Sequence, residues 1–373
     1  MSNMKRILHI TTHLNIGGIS SYLLTLCQGL QALGNECHVA SFGGELEEEF
    51  QKAGVVLHKI PLNTKNELSP KVFLSYFKLK KLQKKYNWNV VHAHTRVAQV
   101  LGYFLAKKLN IQGVTTFHGF YRHHWGRKVF PCLGNQTISN SYSVERDLKA
   151  SYPKLQNNIS TVLHGIHTDR FDATQIESRD QKAFKEKYGL LNFPTLGIMG
   201  RLSQEKGHLN LLEVLRILKD EYRLRLQLLI VGDGKYQHKI EKEVHRLGLE
   251  KLVRMVPSQK DPRIALSLMD IYVTHHEGPE GFGLSTLEAM AMEKPVVISY
   301  KKGGMEDFIS HGQNGLLLSN ASHHELAHAI KYLLTAPEIK KRLGKNAALK
   351  VKQEFSYLKM AQKTQTIYEK SFT

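Results

Sequence analysis

Short apolar runs alternate with helical stripes along the first half of the chain. The predicted strands span residues 4–10, 37–42, 90–93, 114–117 and 135–138. After the first run, a leucine stripe from Leu23 to Leu33 has the period of a helix, and Gly34 ends it. We expect Ser20 or Ser21 to be the N-cap of this helix. A further helix is predicted over 97–109, and such alternation predicts a parallel sheet covered by helices.

A second alternation of the same kind begins near residue 195. Its predicted strands span residues 195–200, 226–232, 253–256, 271–274, 295–299 and 316–318. The polar, charged segment over 176–194 is expected to be a linker, and a last helix is predicted over 356–370. The pattern therefore predicts an N-terminal domain over 1–175, a C-terminal domain over 195–355, and a helical segment over 356–373.

Chain length favours two domains, because 373 residues exceed what a single hydrophobic core usually organises. Apolar residues make up 42% of the chain, as in ordinary globular proteins. No apolar run reaches bilayer-spanning length, and Lys5 and Arg6 precede only a short apolar segment, unlike a signal peptide. Cys27, Cys37 and Cys132 have no paired spacing, which indicates buried thiols in a reducing compartment. We therefore expect a cytoplasmic protein.

The formal net charge of +19 at pH 7 favours nucleic acid, an anionic membrane or phosphorylated substrates as partners. Much of the charge lies on a helix predicted over 71–86. Its apolar side consists of Val72, Tyr76, Leu79 and Tyr86, and its basic side includes Lys78, Lys81 and Lys85. The helix either packs on the core with its lysines outward or lies on an anionic membrane surface. No recognised nucleic-acid motif accompanies the charge, so nucleic acid is not the expected partner.

Two glutamates, Glu280 and Glu288, flank a glycine-containing loop and the start of a helix predicted over 284–292. Gly281 and Gly283 permit a tight loop in which the backbone approaches a ligand. Glu280 then precedes the helix N-terminus, and Glu288 lies about one turn into the helix. The two carboxylates can bind two sets of hydroxyl groups, while the N-terminus between them favours phosphate. The alternative is a helix cap with one solvated glutamate.

A basic motif follows the first predicted strand of the second domain. Arg201 and Lys206 lie there, before a helix predicted over 209–218. Open parallel sheets bind ligands at the carboxyl ends of their strands. Two cations at this place can neutralise a diphosphate leaving group, although a solvated basic loop has the same composition.

Glycines and a histidine mark three further candidate contacts. Gly17 and Gly18 precede the first helix, where backbone N–H groups can face a diphosphate, or where the chain simply turns. Gly232 ends another strand, with the same two interpretations. His118 ends the strand Thr-Thr-Phe and is either functional or structural. The glycines do not form Gly-x-Gly-x-x-Gly and no acidic residue ends the second strand, which argues against an NAD site.

The segment after His118 is cationic and aromatic, with Tyr121, Arg122, His123, His124 and Trp125 followed by Arg127 and Lys128. It either contacts a phosphorylated or lipid acceptor or forms a solvated loop.

In type and order these motifs resemble glycosyltransferase family 4, whose retaining enzymes carry a Glu-x7-Glu motif. The resemblance extends over nearly the whole chain and is strongest from Gly200 to Gly315. It implies the α/β GT-B fold, with two facing Rossmann-like domains, a cleft between them and a C-terminal helix that returns to the N-terminal domain. The N-terminal domain would bind the acceptor and the C-terminal domain the nucleotide-sugar.

The resemblance also implies a role for each candidate residue. Arg201 and Lys206 would stabilise the departing diphosphate, and Glu280 would hold the donor sugar. Glu288 would hold the ribose hydroxyls, and His118 would lie close to the sugar and the acceptor. The other expected donor contacts are Gly17, Gly18, Gly232, Phe282, Gly283 and Leu284.

The expected reaction transfers a hexosyl group from a UDP, GDP or ADP sugar to an acceptor hydroxyl, with retention at the anomeric carbon. Basic charge favours a bacterial cell-envelope acceptor, such as lipopolysaccharide, capsule or a lipid-linked sugar. No metal or other cofactor is expected, because no Asp-x-Asp occurs and the histidine pairs lack a spaced ligand set within one element. These pairs are His92 with His94, His123 with His124, His275 with His276, and His323 with His324. The alternatives are a nucleotide-sugar epimerase of the same fold and a basic nucleic-acid-binding protein.

Three departures from the family pattern bear on the donor sugar and on site geometry more than on the fold. Gly281 stands where proline is frequent, and a histidine pair, His275 and His276, replaces a small residue. His164-Gly-Ile-His167 stands where Asn-Gly-x-Asp is usual.

Overall fold

The computed structural model describes residues 4–121 and 125–370, which form two compact units. The first unit runs to Ile166 and resumes at Ser356, and the second is His167–Phe355. Arg122, His123 and His124, predicted to belong to an acceptor-contacting or solvated loop, lie outside the described residues.

A parallel sheet forms the middle of the first unit. Among the described residues it has seven strands, in the order β3-β2-β1-β4-β5-β6-β7. The strands are β1 (Arg6–Ile10), β2 (Glu36–Ser41), β3 (Val56–Lys59), β4 (Val90–Ala93), β5 (Gln112–Phe117), β6 (Gln136–Ser139) and β7 (Ile159–Thr161). The helices are α1 (Gly18–Ala32), α2 (Glu47–Lys52), α3 (Pro70–Tyr86), α4 (Arg96–Leu109), α5 (Trp125–Val129) and α6 (Tyr142–Ser151). Successive side chains such as Ile7 and Leu8 enter different apolar clusters, because a strand points them to opposite faces.

Helix α1 begins at Gly18, with Gly17 as its N-cap, so the prediction of Ser20 or Ser21 as N-cap is wrong. The N–H of Ser21 already donates to the carbonyl oxygen of Gly17, at 3.0 Å, and closes the first turn. Ser20 is buried within this turn. The glycine pair therefore forms the helix start itself.

Helix α3 uses its predicted apolar side for packing. Val72 and Leu79 are buried against the core, and Tyr76 and Tyr86 are partly buried beside them. The opposite side is exposed and carries Lys78, Lys80, Lys81, Lys84 and Lys85. It also exposes Phe73, Leu74 and Phe77, which the predicted pattern of apolar and basic sides did not include.

A second parallel sheet forms the middle of the second unit. Its described strands lie in the order β10-β9-β8-β11-β12-β13. They are β8 (Thr195–Met199), β9 (Gln227–Val231), β10 (Val253–Val256), β11 (Ile271–His275), β12 (Val296–Tyr300) and β13 (Leu316–Ser319). The helices are α7 (Ser178–Tyr188), α8 (His208–Asp220), α9 (Gln237–Arg246), α10 (Arg263–Ser267), α11 (Leu284–Ala291), α12 (His323–Thr335) and α13 (Pro337–Glu354). Two α/β units with parallel sheets confirm the predicted fold class.

The segment over 176–194, expected to be a linker, contains α7 and belongs to the second unit. Phe184 is the buried apolar side chain of this otherwise polar helix, which packs on α10. The chain passes from one unit to the other at Ile166 and His167, and returns at Phe355 and Ser356.

The last described helix, α14 (Tyr357–Glu369), completes the first unit, as predicted for the C-terminal helix. It packs on α1, where a Cβ added to Gly29 would lie 2.6 Å from the Cβ of Ala361. The hydroxyl of Tyr368 lies 2.6 Å from Nδ1 of His92, and Gln112 donates to the carbonyl oxygen of Ile367. The helix therefore contacts both α1 and the sheet.

Cys27, Cys37 and Cys132 are buried and free, as expected. None of the helices within residues 4–121 and 125–370 has the length and hydrophobicity that a bilayer-spanning segment needs.

Candidate functional site

A small pocket in the second unit lies at the carboxyl ends of β8 and β11, beside the N-terminus of α11. Lys206, Glu280 and Gly283, three of the residues predicted from sequence, line it together with His276 and Met305. Carboxyl ends of parallel strands and helix N-termini are both places where such sheets bind ligands.

The loop over 302–304 fixes the backbone of Glu280. Its N–H donates to the carbonyl oxygen of Lys302, and its own carbonyl oxygen accepts from the N–H of Gly304, each at 3.0 Å. A Cβ added to Gly303 would lie 2.4 Å from the carbonyl oxygen of Glu280, so only glycine allows this approach. These two hydrogen bonds hold the backbone of Glu280 in place, so the loop positions its carboxylate in the pocket.

Lys206 and Glu280 form an ion pair in the pocket. Their side chains are 25% and 15% exposed. Burial raises the pKa of Glu280, but the charge of Lys206, with His276 and the N–H of Gly281, outweighs burial and lowers that pKa to about 2. Glu280 is therefore a carboxylate at neutral pH and accepts hydrogen bonds.

Gly207 brings Lys206 against β11. It adopts a left-handed conformation with φ 65°, and a Cβ there would lie 1.6 Å from the carbonyl oxygen of His275. The short helical turn Gln204–Lys206 thus lies against the end of β11, within reach of Glu280.

His276 lines the pocket, although the sequence indicated it only as a departure from the family pattern and as one of the histidine pairs. Its Nδ1 lies 3.5 Å from Oε2 of Glu280. Burial lowers the pKa of His276 to about 4, although the neighbouring Glu280 opposes this shift. The imidazole is therefore neutral near pH 7 and contacts Glu280 without a charge of its own.

Gly283, with φ 95°, is the N-cap of α11, so no side chain caps the N-terminus of this helix. The first N–H groups of such a helix are available to an anion. Phe282 is buried against Phe308 and Phe355, so this predicted ligand contact packs its side chain in the core. Leu284, also predicted as a contact, is partly buried as the first residue of α11.

Glu288 lies about one turn into α11, as expected, and is partly buried. Burial raises its pKa to about 8, although Arg170 opposes the shift and Asp261 adds to it. Asp261 accepts hydrogen bonds from Arg263 at both carboxylate oxygens, and its Oδ2 lies 3.2 Å from Nη2 of Arg170. No sequence spacing could reveal this group of charges, because it joins segments about ninety positions apart.

Two other predicted residues of the second unit lie beside the pocket elements without lining it. Arg201 is exposed in the turn after β8. Gly232 follows β9, and a Cβ there would lie 2.0 Å from the carbonyl oxygen of Gly200, so close strand-to-strand packing accounts for it.

The remaining predicted residues, His118, Gly17 and Gly18, belong to the first unit. A Cβ added to either glycine would meet no described atom within 4 Å, so packing in this unit does not require glycine there. Helix α1 places the ring of Tyr22 4.8 Å from that of His118. Burial lowers the pKa of His118 well below its usual range, and its Nε2 lies 3.3 Å from Nδ1 of His94.

Histidines of the first unit come closer together than sequence reasoning expected. That reasoning considered single elements, whereas β1 brings His9 beside His92 of the neighbouring strand β4 and beside His94, which follows β4. Among the described residues, their ligand atoms lie within 4.8 Å of one another, as do those of His9, Cys27 and Cys37. However, the nitrogens of His92 lie 2.6 and 2.7 Å from the hydroxyls of Tyr368 and Thr116. The absence of a required metal stays a prediction.

Comparisons with known proteins cover both units. Residues 16–170 match the family described as Glycosyltransferase Family 4, and residues 180–350 match Glycosyl transferases group 1. The putative glycosyltransferase EpsD of Bacillus subtilis is 26% identical, over 90% of this chain and 89% of its own. The alpha-monoglucosyldiacylglycerol synthase of Acholeplasma laidlawii is 24% identical over the same shares.

The structure is similar to that of HepE from Anabaena, which was solved in complex with UDP-glucose. The TM-score is 0.81 at 20% identity, over 97% of this chain and 99% of that one. This likeness establishes the fold, and the two matched families account for both units. The chain therefore belongs to glycosyltransferase family 4 and is a glycosyltransferase with the GT-B fold.

Proposed function

We propose that this protein is a retaining hexosyltransferase that uses a nucleotide-diphosphate sugar and needs no metal. The observation that carries the proposal is the pocket that joins Lys206, Glu280 and the uncapped N-terminus of α11. Lysine and a helix N-terminus supply the positive potential that a departing diphosphate requires. The UDP-glucose complex of the similar Anabaena protein supports this class of donor.

The charges of the pocket suggest how it would hold the donor. The diphosphate would contact Lys206 and the first N–H groups of α11, and Glu280, a carboxylate at neutral pH, would accept hydrogen bonds from sugar hydroxyls. Glu288, one turn further along, would accept from the ribose hydroxyls. Retention follows from the family resemblance, with the donor phosphate taking the proton of the acceptor hydroxyl.

We propose a bacterial cell-envelope glycan or glycolipid as the acceptor. Support comes from the net charge of +19, and from a relative whose name denotes synthesis of a glucosyl diacylglycerol. His118 of the first unit is the proposed contact to the acceptor and the transferred sugar, whereas the backbone N–H groups at Gly17 and Gly18 are proposed to contact the donor diphosphate.

Thermal unfolding with UDP, GDP and ADP tests the donor site. One diphosphate at about 100 times its dissociation constant should add roughly 2.7 kcal/mol of stability. Lys206→Ala and Glu288→Ala should abolish this gain. Lys182→Ala, which removes an exposed lysine that pairs with Glu186 on α7, should retain it. Protein that no diphosphate stabilises would contradict the proposal.

Product analysis separates transfer from epimerisation. Incubation with the stabilising nucleotide-sugar and a lipid-linked acceptor should give an α-linked product from an α-linked donor, as shown by the anomeric coupling constant. An epimerised nucleotide-sugar formed without an acceptor would instead support the epimerase alternative.

We further propose that the exposed side of α3 contacts an anionic membrane. Phe73, Leu74 and Phe77 are 58%, 60% and 64% exposed, and lysines flank them. Apolar side chains beside basic ones are typical of helices that lie in a membrane interface, and each lysine near an anionic surface adds about 1 kcal/mol.

Sedimentation with lipid vesicles tests this surface. Phosphatidylglycerol vesicles should retain the protein at low salt, and neutral phosphatidylcholine vesicles should not. Replacing Phe73 and Phe77 by serine should weaken retention, whereas Tyr332→Ser, at an exposed aromatic of the second unit, should not. Equal retention of both variants would exclude α3 as the contact.

A further inference from the structure

A row of three imidazoles, buried at His9 and His94 and partly buried at His118, crosses the first unit at the carboxyl ends of three neighbouring strands. His9 lies in β1, His94 follows β4 and His118 follows β5. Nδ1 of His9 lies 3.0 Å from Nε2 of His94, and Nδ1 of His94 lies 3.3 Å from Nε2 of His118. The three rings therefore form one continuous hydrogen-bonded chain.

Each end of this chain leaves one nitrogen without a partner. Nε2 of His9 and Nδ1 of His118 are buried, and neither has a hydrogen-bond partner among the described residues. His94 uses both of its nitrogens within the chain. His92 is adjacent, but its nitrogens contact Tyr368 and Thr116, so it lies outside the chain.

All three rings are neutral at neutral pH. Burial lowers the pKa of His9 to about 3, and burial together with neighbouring imidazoles lowers those of His94 and His118 well below the usual range. A neutral imidazole has one N–H donor and one acceptor nitrogen.

This restriction couples the three protons. If His94 donates from Nδ1 to His118, its Nε2 must accept from His9, and every ring carries its proton on Nδ1. If His118 donates to His94 instead, every ring carries its proton on Nε2. Any mixed arrangement sets two lone pairs or two protons against each other across a contact of 3.0 or 3.3 Å.

We propose that His9, His94 and His118 share one tautomer, and that His94 and His9 are positioning residues that fix the tautomer of His118. The tautomer decides what Nδ1 of His118 offers a ligand, because His94 occupies Nε2. With its proton on Nδ1, His118 donates to a sugar oxygen; with its proton on Nε2, it accepts from a hydroxyl. The consequence for transfer rests on the proposed function, whereas the shared tautomer does not.

Nitrogen NMR of the full chain, labelled with ¹⁵N-histidine and free of ligand at neutral pH, tests the shared tautomer. Long-range proton–nitrogen correlations identify the protonated nitrogen of each ring, with assignment from single variants. We expect the same tautomer for all three rings. Different tautomers, a protonated ring, or a transition metal bound through His9, His92 and His94 in the purified protein would overturn the proposal.

A variant of His94 tests its positioning role. His94→Phe should leave His118 in a mixture of tautomers, because no polar group then faces its Nε2. His58→Phe is the matched control. It also removes a contact between two imidazoles, from Nε2 of His58 to Nδ1 of His38 at 3.0 Å, but neither ring belongs to the row of His9, His94 and His118. A shift of the His118 tautomer in His58→Phe, or none in His94→Phe, would overturn the role.

Kinetics then connect the tautomer with catalysis. In His94→Phe we expect kcat to fall on the order of tenfold or more while KM for the donor changes little. Unchanged kcat in a variant whose tautomer is mixed would overturn the catalytic consequence. Absence of any transferase activity in the wild type would contradict the proposed function and leave the NMR result standing.

Discussion

At the residue scale, Glu280 and Glu288 belong to the same segment but differ in their protonation state near pH 7. Lys206 holds the pKa of Glu280 at about 2, whereas burial raises that of Glu288 to about 8. Near pH 7, Glu280 is therefore charged and Glu288 largely neutral. This difference follows from tertiary surroundings, since both are glutamates of one short motif. The sequence motif predicted that both glutamates belong to the site, but not which of them is charged near pH 7.

The raised pKa of Glu288 predicts pH-dependent binding of nucleotide. Ribose hydroxyls donate to a carboxylate, so binding favours the deprotonated form, whose share rises as pH passes through about 8. Between pH 7 and 9, affinity for the stabilising diphosphate should rise about tenfold, as titration of one such group requires. Calorimetry should give this slope in the wild type and a flat profile in Glu288→Gln. A slope retained in Glu288→Gln would assign it to another group.

The pairing of Lys206 with Glu280 predicts a large energetic coupling. Removing one partner leaves the other partly buried without its counter-charge. The losses of stability in Lys206→Met and in Glu280→Gln should therefore add up to more than the loss in the double variant. Urea unfolding should give a coupling of about 1–3 kcal/mol.

The exposed pair of Lys182 and Glu186 is the control for this coupling. These side chains are 80% and 68% exposed, and the pair distance is 3.9 Å. The same pair of substitutions there should give a coupling below about 0.5 kcal/mol. Equal couplings at the two sites would show that burial does not strengthen the pair in the pocket.

At the element scale, local periodicity predicted five of the seven described strands of the first sheet and the six of the second, but only six of the fourteen described α-helices: α1, α3, α4, α8, α11 and α14. It failed for α7 because that helix has little apolar surface. Helix α7 buries Phe184 alone, so its segment looked like a linker. It also failed at the start of α1, where two glycines form the first turn instead of a serine cap.

Packing of α1 on α14 predicts different effects for one substitution at two sites of α1. Gly29→Ala places a Cβ 2.6 Å from Ala361, whereas Gly18→Ala meets no described atom within 4 Å. Overpacking should make Gly29→Ala about 1–3 kcal/mol less stable than Gly18→Ala in thermal or urea unfolding. Under the proposed function, Gly18→Ala should instead lower activity. Equal stability of the two variants would contradict the close approach of these helices.

At the scale of the whole molecule, the two units differ in how the chain builds them. The second unit is one continuous segment, His167–Phe355, and the first needs residues from both sides of it. Only the family resemblance predicted that the last helix returns to the first unit, because the periodicity of a helix does not indicate which element it packs against. The contact of Tyr368 with His92 joins positions that no local pattern relates.

This organisation predicts the outcome of removing α14. A chain that ends before Ser356 lacks α14, whose Met360 and Tyr368 belong to the same apolar cluster as Leu26 of α1. Its loss exposes the apolar side of α1. Limited proteolysis should cut the first unit of this truncated chain rapidly and leave fragments of the second unit intact. Equal resistance of both units would contradict this dependence.

The interrupted first unit also has a consequence for synthesis on the ribosome. Its sheet strands emerge before Ile166, but α14 follows only after the whole of His167–Phe355. At a translation rate of roughly 5–20 residues per second, the surface of α1 stays uncovered for about 10–40 s before α14 is synthesised. Meanwhile the second unit can fold as it emerges. We therefore expect nascent chains to need chaperone protection at the N-terminal half, and slower translation across the second unit to lengthen that need.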